Sequence, residues 1–151
     1  MSLGGKNGEI ENSKNVEHIE GDITNKLHVE SIFSSNKIDC VIHLAAIKEF
    51  RRGAERIQSM VETNVLGTSN ILECIVRHKV KKIIFSSSMS VIGVPCYLPV
   101  DEHHPCMPVN FYGLTKKHAE ELIEYFSLKY GLTSYVLRFP GLFDAERREG
   151  A

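Results

Sequence analysis

The chain has 151 residues, enough for one domain with a substantial core, and its 42% hydrophobic and 25% charged content is that of an ordinary soluble globular protein. A formal net charge of -1 gives no electrostatic case for binding nucleic acid or an anionic membrane. No apolar run approaches the ~20 residues that span a bilayer, no signal-peptide pattern opens the chain, and the four cysteines form no CxxC pair, so a reducing, cytoplasmic setting is expected.

In chain order, residues 1–14 are rich in Gly, Asn, Ser and charge and read as a flexible arm. Val16 to Glu20 is a short strand candidate that ends at Gly21-Asp22. Thr24 can cap a helix from about Asn25 to Ser35, with Leu27, Val29, Ile32 and Phe33 as its apolar members. Ile38 to Leu44 is nearly continuous apolar sequence, which suits a strand buried on both faces of a parallel sheet; Cys40 within it and Cys74 further on read as buried free thiols. A long helix is expected from about Ala54 to His78, its apolar residues recurring with a 3.6-residue period. Lys81 to Ser86 forms the next strand. Residues 92–110 hold four of the five prolines and read as a long loop. A helix from about Asn110 to Tyr130 stops at Gly131, and Ser134 to Phe139 is the last strand.

Strands alternate with helices, so the class is α/β with a parallel sheet. Ligands of such sheets bind at the carboxyl ends of the strands. Gly21-Asp22, Leu44-Ala45-Ala46, Ser86-Ser87-Ser88 and Phe139-Pro140-Gly141 all fall there. Tyr112 and Lys116 are four apart on one helix face. A tyrosine is a poor base with an ordinary pKa of about 10, and a cation one turn away stabilises its phenolate. With a serine hydroxyl from the neighbouring strand end to hold the reacting oxygen, these parts suit hydride chemistry at a secondary alcohol. Cys96, His103, His104 and Cys106 lie close in sequence, but adjacent histidines do not readily share a tetrahedral site and CxxC spacing is missing, so no metal is expected.

These segments together resemble the extended short-chain dehydrogenase/reductases, specifically the NAD-dependent nucleotide-sugar epimerase/dehydratase group and, within it, the UDP-glucose 4-epimerases. The resemblance runs from about Asn15 to Phe143. It implies a Rossmann-like, doubly wound parallel sheet. It assigns Asp22 and Ile23 to the adenine end of the cofactor, and Leu44, Ala45 and Ala46 to close approach of its backbone. Lys48, Asn64, Ser86 and Phe139 are implied as further cofactor contacts, with Asn64 ordering the site. Counting back from Val91-Ile92-Gly93 implies that Ser88 is the catalytic hydroxyl. With Tyr112 and Lys116 it would form the catalytic set, and the latter two would also touch cofactor. Asp101-Glu102 with Pro105 and Pro108 resembles the acidic, proline-punctuated loop before the tyrosine.

The departures from the family pattern shape the functional expectation. Dehydratases carry an Asp-Glu pair directly after the catalytic hydroxyl; here Met89 and Ser90 stand there, so dehydration is disfavoured. Ile92 replaces a usual tyrosine. Gly141 stands about where sugar-binding members place an asparagine, and Pro140-Gly141 also resembles the threonine-dehydrogenase-like branch. Gly4-Gly5-Lys6-Asn7-Gly8 follows no strand and opens no apolar helix, so it is not a dinucleotide turn. The first βαβ segment is therefore read as missing, and the sheet as incomplete. The expected layout is an arm over 1–14, a partial NAD(P)-binding domain over 15–144 and a charged tail over 145–151.

The leading expectation is an NAD-dependent nucleotide-sugar epimerase or a truncated part of one, with a nucleotide sugar as the substrate of the intact enzyme. NAD is the expected cofactor, with NADP as the alternative and loss of binding in this chain as the counter-expectation. One alternative is a dehydrogenase or reductase of a smaller alcohol in the same fold. Another is a catalytically inactive domain. Unpaired edges and apolar faces promote self-association, so a homodimer is expected.

Overall fold

The computed structural model describes residues 16–48 and 56–141. The arm over 1–14, the tail over 145–151, the Gly4–Gly8 cluster and the expected helix start near Ala54 lie outside the described residues. The elements are α1 (Lys26–Ser35), β1 (Val41–His43), α2 (Ile57–Met60), a π-helical segment (Val61–Gly67), α3 (Thr68–Arg77), β2 (Lys82–Ser88), a 3-10 turn (Met89–Val91), α4 (Phe111–Tyr130) and β3 (Thr133–Phe139).

Local sequence explains most boundaries. Asn25, not Thr24, caps α1: its side chain accepts the His28 N–H at 3.1 Å, satisfying a donor that the first turn leaves unpaired. Asn110 does the same for α4, accepting from Gly113 N–H at 2.7 Å. Gly131 ends α4 in the left-handed region at φ 67°, where a side chain would be strained. The expected long helix is present but not uniform. Its middle widens into a π turn around Asn64, so one 3.6-residue repeat does not run through it.

The described sheet has three parallel strands in the order β1-β2-β3. Both crossovers step the same way. Right-handed connections then place their helices on one face. The core agrees. Val29 and Phe33 of α1, Leu72 and Ile75 of α3, and Ala119 and Ile123 of α4 pack on Ile83 and Phe85 of β2. Truncating Leu72, which is fully buried, to alanine would cost on the order of 2–5 kcal/mol.

Three expectations are corrected. Val16 to Glu20 is not a strand: the segment pairs with nothing among the described residues, and Val16 and Ile19 are exposed. The strand drawn over Ile38 to Leu44 shrinks to three residues and is buried on one face only. His43 points into the core, while Ile42 is 62% exposed. Ile42 shares the opposite face of the sheet with Tyr135, which lies in register through Ile84, and Leu137 is exposed further along β3. No described helix covers that face, so an apolar run that was read as doubly buried is singly buried here. Cys40, expected to be buried, is half-buried, while Cys74 is buried. In the other direction, β2 runs two residues beyond the expected Ser86 and ends on Ser88.

Candidate active site

Ser88 closes β2 opposite Phe139 of β3, so the last residues of both strands reach the carboxyl edge together. Its backbone is extended and caps the following 3-10 turn: Ser88 Oγ accepts from Ser90 N–H and donates to Ser90 Oγ, both at 3.1 Å. The Ser88 hydroxyl lies close enough to the Tyr112 phenol to pull its pKa downward. Gly113 makes this approach possible. A Cβ there would lie 2.3 Å from the Ser90 carbonyl oxygen, so only glycine lets the first turn of α4 close on the serine segment.

Lys116 sits one turn beyond Tyr112, is only 2% exposed and lies with its ammonium 4.3 Å from the Phe85 ring centre. No acceptor for its ammonium occurs among the described residues. Burial pushes its pKa down to about 8, against the opposing pull of the Glu120 carboxylate. The expectation that Lys116 depresses the Tyr112 pKa is corrected. Burial raises the Tyr112 phenol above its ordinary value, with the Ser88 hydroxyl opposing that rise. The reason is orientation: Lys116 turns inward over Phe85. Lys48 lies on the other side, its ammonium 6.0 Å from the Tyr112 ring centre.

Asn64 links these parts. Its amide oxygen accepts Ile47 N–H at 2.8 Å, and its amide nitrogen donates to Ile47 O at 3.0 Å and Thr115 Oγ1 at 2.9 Å. Leu44, Ala45 and Ala46, all exposed, thus lead from β1 into a backbone pinned at Ile47. Below them, His43 bonds Thr68 Oγ1 at 2.9 Å, and Thr68 donates to Asn64 O at 2.7 Å. Burial, with the nearby Lys116 charge, pushes the His43 pKa down to about 4, so the ring is neutral.

At the far end, Asp22 Oδ1 accepts Thr24 N–H at 2.8 Å, which draws its carboxyl below the usual range. Ile23 packs on Gly67, and Asn70 donates to Ile23 O at 3.0 Å, tying this segment to the long helix. Ser86 sits two residues inside β2, paired with Leu137. The structure therefore gathers Ser88, Tyr112, Lys116, Lys48 and Asn64 into one group and leaves Asp22 and Ile23 beside Gly67. A separate cleft of about 880 Å³ runs between α4 and β3, from Met89 and Phe139 to Ser127 and Ser134. Among the described residues, no three His, Cys, Asp or Glu side chains are grouped to hold a metal.

The sequence matches the NAD dependent epimerase/dehydratase family over residues 4–150. The chain belongs to that family. A putative UDP-glucose 4-epimerase of Methanocaldococcus jannaschii is 39% identical over 134 residues, 88% of this chain and 43% of that protein. The UDP-glucose 4-epimerase of Halalkalibacterium halodurans is 36% identical over 79% of this chain and 36% of its own length. Among solved structures, UDP-glucose 4-epimerase of Brucella ovis in complex with NAD superposes with a TM-score of 0.74 at 32% identity, covering 80% of this chain and 37% of that one. The Thermotoga maritima enzyme with UDP-glucose gives 0.77 at 31%, covering 83% and 41%. The fold is thus the Rossmann-like α/β fold of these epimerases, and the chain spans about two-fifths of the length of the relatives it matches.

Sequence reasoning missed several residues of this family site. Gly113 was legible as a glycine in a first helical turn, against propensity. Thr115, Thr68 and His43 are polar residues on apolar faces, a signal that points to buried hydrogen bonding. Glu120 and Arg138 gave no signal, because charge pairs across 18 residues carry no local pattern.

Proposed function

We propose that this chain carries the proton-transfer part of an NAD-dependent nucleotide-sugar 4-epimerase. The observation that carries the reading is the placing of the Ser88 hydroxyl beside the Tyr112 phenol, with the buried Lys116 side chain one turn further along α4. The cofactor fit is partial. The ammonium at the end of the buried Lys116 side chain has no acceptor among the described residues and suits ribose hydroxyls, and the exposed Ala45 and Ala46 leave room beside β1. No glycine-rich strand-to-helix turn for a pyrophosphate occurs among the described residues. When bound, NAD would accept a hydride from the sugar carbon and return it.

Tyr112 takes the proton of the sugar 4-hydroxyl and later gives it back to the same oxygen, as the hydride returns to the opposite face of the ketone carbon. Ser88 hydrogen-bonds the same oxygen and holds it at the phenol. Lys116 binds the ribose hydroxyls. Lys48, on the ring's other side, adds positive charge to the site. Met89 and Ser90 offer no acid/base pair for elimination, which favours epimerisation over dehydration. Asp22 and Ile23 are assigned to the adenine end.

Calorimetric titration of the chain with NAD+ and NADH, followed by Tyr112→Phe in a turnover assay of full-length protein, tests this. Micromolar cofactor binding, and a Tyr112→Phe enzyme that binds cofactor but loses most turnover with a UDP-sugar, is the expected result. Retained turnover would overturn the assignment. A second reading, self-association as a homodimer, is favoured by the uncovered Ile42–Tyr135–Leu137 face. A monomer by light scattering would sink it.

A further inference from the structure

Glu120 lies one turn beyond Lys116 on α4, continuing the Tyr112–Lys116 row. It forms no direct ion pair with Lys116. Its Oε1 instead accepts the Ser87 hydroxyl and Arg138 Nε (3.1 Å), and its Oε2 accepts Arg138 Nη2 at 2.7 Å. Ser87 is the buried residue immediately before Ser88 on β2, and Arg138 the residue immediately before Phe139 on β3. One carboxylate therefore clamps the reactive helix to both strands that carry the site edge. An oriented fork–fork pair of this kind is geometrically demanding and not a loose surface contact.

We propose that Glu120 is a positioning residue for this site: held by Ser87 and Arg138, it sets α4 against β2 and β3 and fixes a negative charge one turn from Lys116. This rests on the epimerase reading for its functional meaning. Among the described residues, these groups bear on Lys116. His43 of β1 is neutral and Phe85 of β2 offers a ring face. Tyr112 and Glu120 share its helix, and Arg138 of β3 is engaged on the carboxylate. Of these, Glu120 supplies the negative charge that supports the ammonium against burial. Because Arg138 and Ser87 hold that carboxylate away, the ammonium keeps its donors available for hydroxyl oxygens.

The test is the titration of Lys116 followed by NMR of its ε-methylene in the lysine-labelled 151-residue chain, with Lys116→Arg to assign the signal. Glu120→Gln should move the Lys116 midpoint downward by about half a pH unit or more, and Glu120→Asp should restore most of it. A merely structural Glu120 predicts the opposite direction, since loosened packing hydrates Lys116 and raises its midpoint. An unchanged or raised midpoint in Glu120→Gln overturns the proposal. Should Glu120→Gln not fold, Glu120→Gln/Arg138→Met leaves neither charge unpaired, and a smaller shift in the same downward direction is required of it, since losing the Arg138 cation offsets part of losing the carboxylate. The titration uses neither cofactor nor sugar. Failure of NAD binding or turnover would therefore sink the epimerase reading without deciding this one, and the reverse also holds.

Discussion

The amide nitrogen of Asn64 donates to Thr115 Oγ1 at 2.9 Å, joining the π turn of the long helix to the first turns of α4 across 51 residues of sequence. Thr115 in turn donates to Tyr112 O at 2.8 Å. The backbone that presents the phenol is thereby tied to the backbone at Ile47, because the same amide holds both groups of that residue. Asn64 is 2% exposed, so none of these bonds can be replaced by water without opening the site.

Replacing Asn64 with alanine leaves the Ile47 groups and the Thr115 hydroxyl short of partners inside the protein. A loss of about 2–4 kcal/mol is expected in urea denaturation, against about 1–2 kcal/mol for Thr115→Val, which removes the bond from Asn64 and the bond to Tyr112 O but leaves Ile47 held. Equal losses in the two variants would mean that Asn64 does not organise the segment at Ile47.

Gly113→Ala sets helix propensity against contact. Alanine gains up to about 1 kcal/mol as a helix former. Its Cβ would lie 2.3 Å from Ser90 O and 2.9 Å from Ser90 C, both backbone atoms that cannot rotate away. The clash should win, with a net loss of about 1–3 kcal/mol and a lowered melting temperature. The displaced helix end should also part the Tyr112 phenol from the Ser88 hydroxyl that pulls its pKa down, raising the Tyr112 titration midpoint read by ultraviolet absorbance. An alanine variant as stable as the parent would show that the closure is not tight.

His43 gives the chain a pH dependence of known sign. Its folded pKa is depressed to about 4 from an ordinary 6.5, so the unfolded chain takes up a proton before the folded one does. The stability tied to its neutral form is complete above pH 6.5 and is lost as pH falls towards 4, by on the order of 3 kcal/mol in all. Urea denaturation at intervals between pH 7 and 4.5 should show this slope, and His43→Gln, which can still donate to Thr68, should flatten it. The carboxylates with lowered values, Asp22, Glu30 and Asp101, begin to lose their contributions only at the acid end of this window, as pH falls through their ordinary values. A slope unchanged by His43→Gln would place the proton elsewhere.

The sequence made α4 and β2 legible because their signals are local: a capping asparagine, a terminal glycine, and a run of apolar residues ending in serines. Tyr112 and Lys116 were legible for the same reason, since one helical turn relates them, whereas Ser88 among the three serines was singled out only by the family resemblance. What failed depended on neighbours. Whether Ile42 is buried is decided by what covers the second face of the sheet, and no pattern within Val41-Ile42-His43 records that. Val16 to Glu20 has strand composition, but a strand needs a partner to pair with. The direction of the Tyr112 shift depended on which way Lys116 turned, and the aromatic ring of Phe85 on another element decided that.

The π turn has a consequence for how this site is written in a gene. A wide turn is an α-helix carrying one residue more than its ladder needs, and each residue advances the helix by 100° and 1.5 Å. Deleting a single codon within Val61–Gly67 would let the ladder close regularly and improve the helix as a helix. It would also swing Asn64 about a quarter of the way around the axis, off Ile47 and Thr115. The geometry of this site is thus stored in a residue count as much as in residue types, and an in-frame deletion that changes no catalytic side chain could erase it.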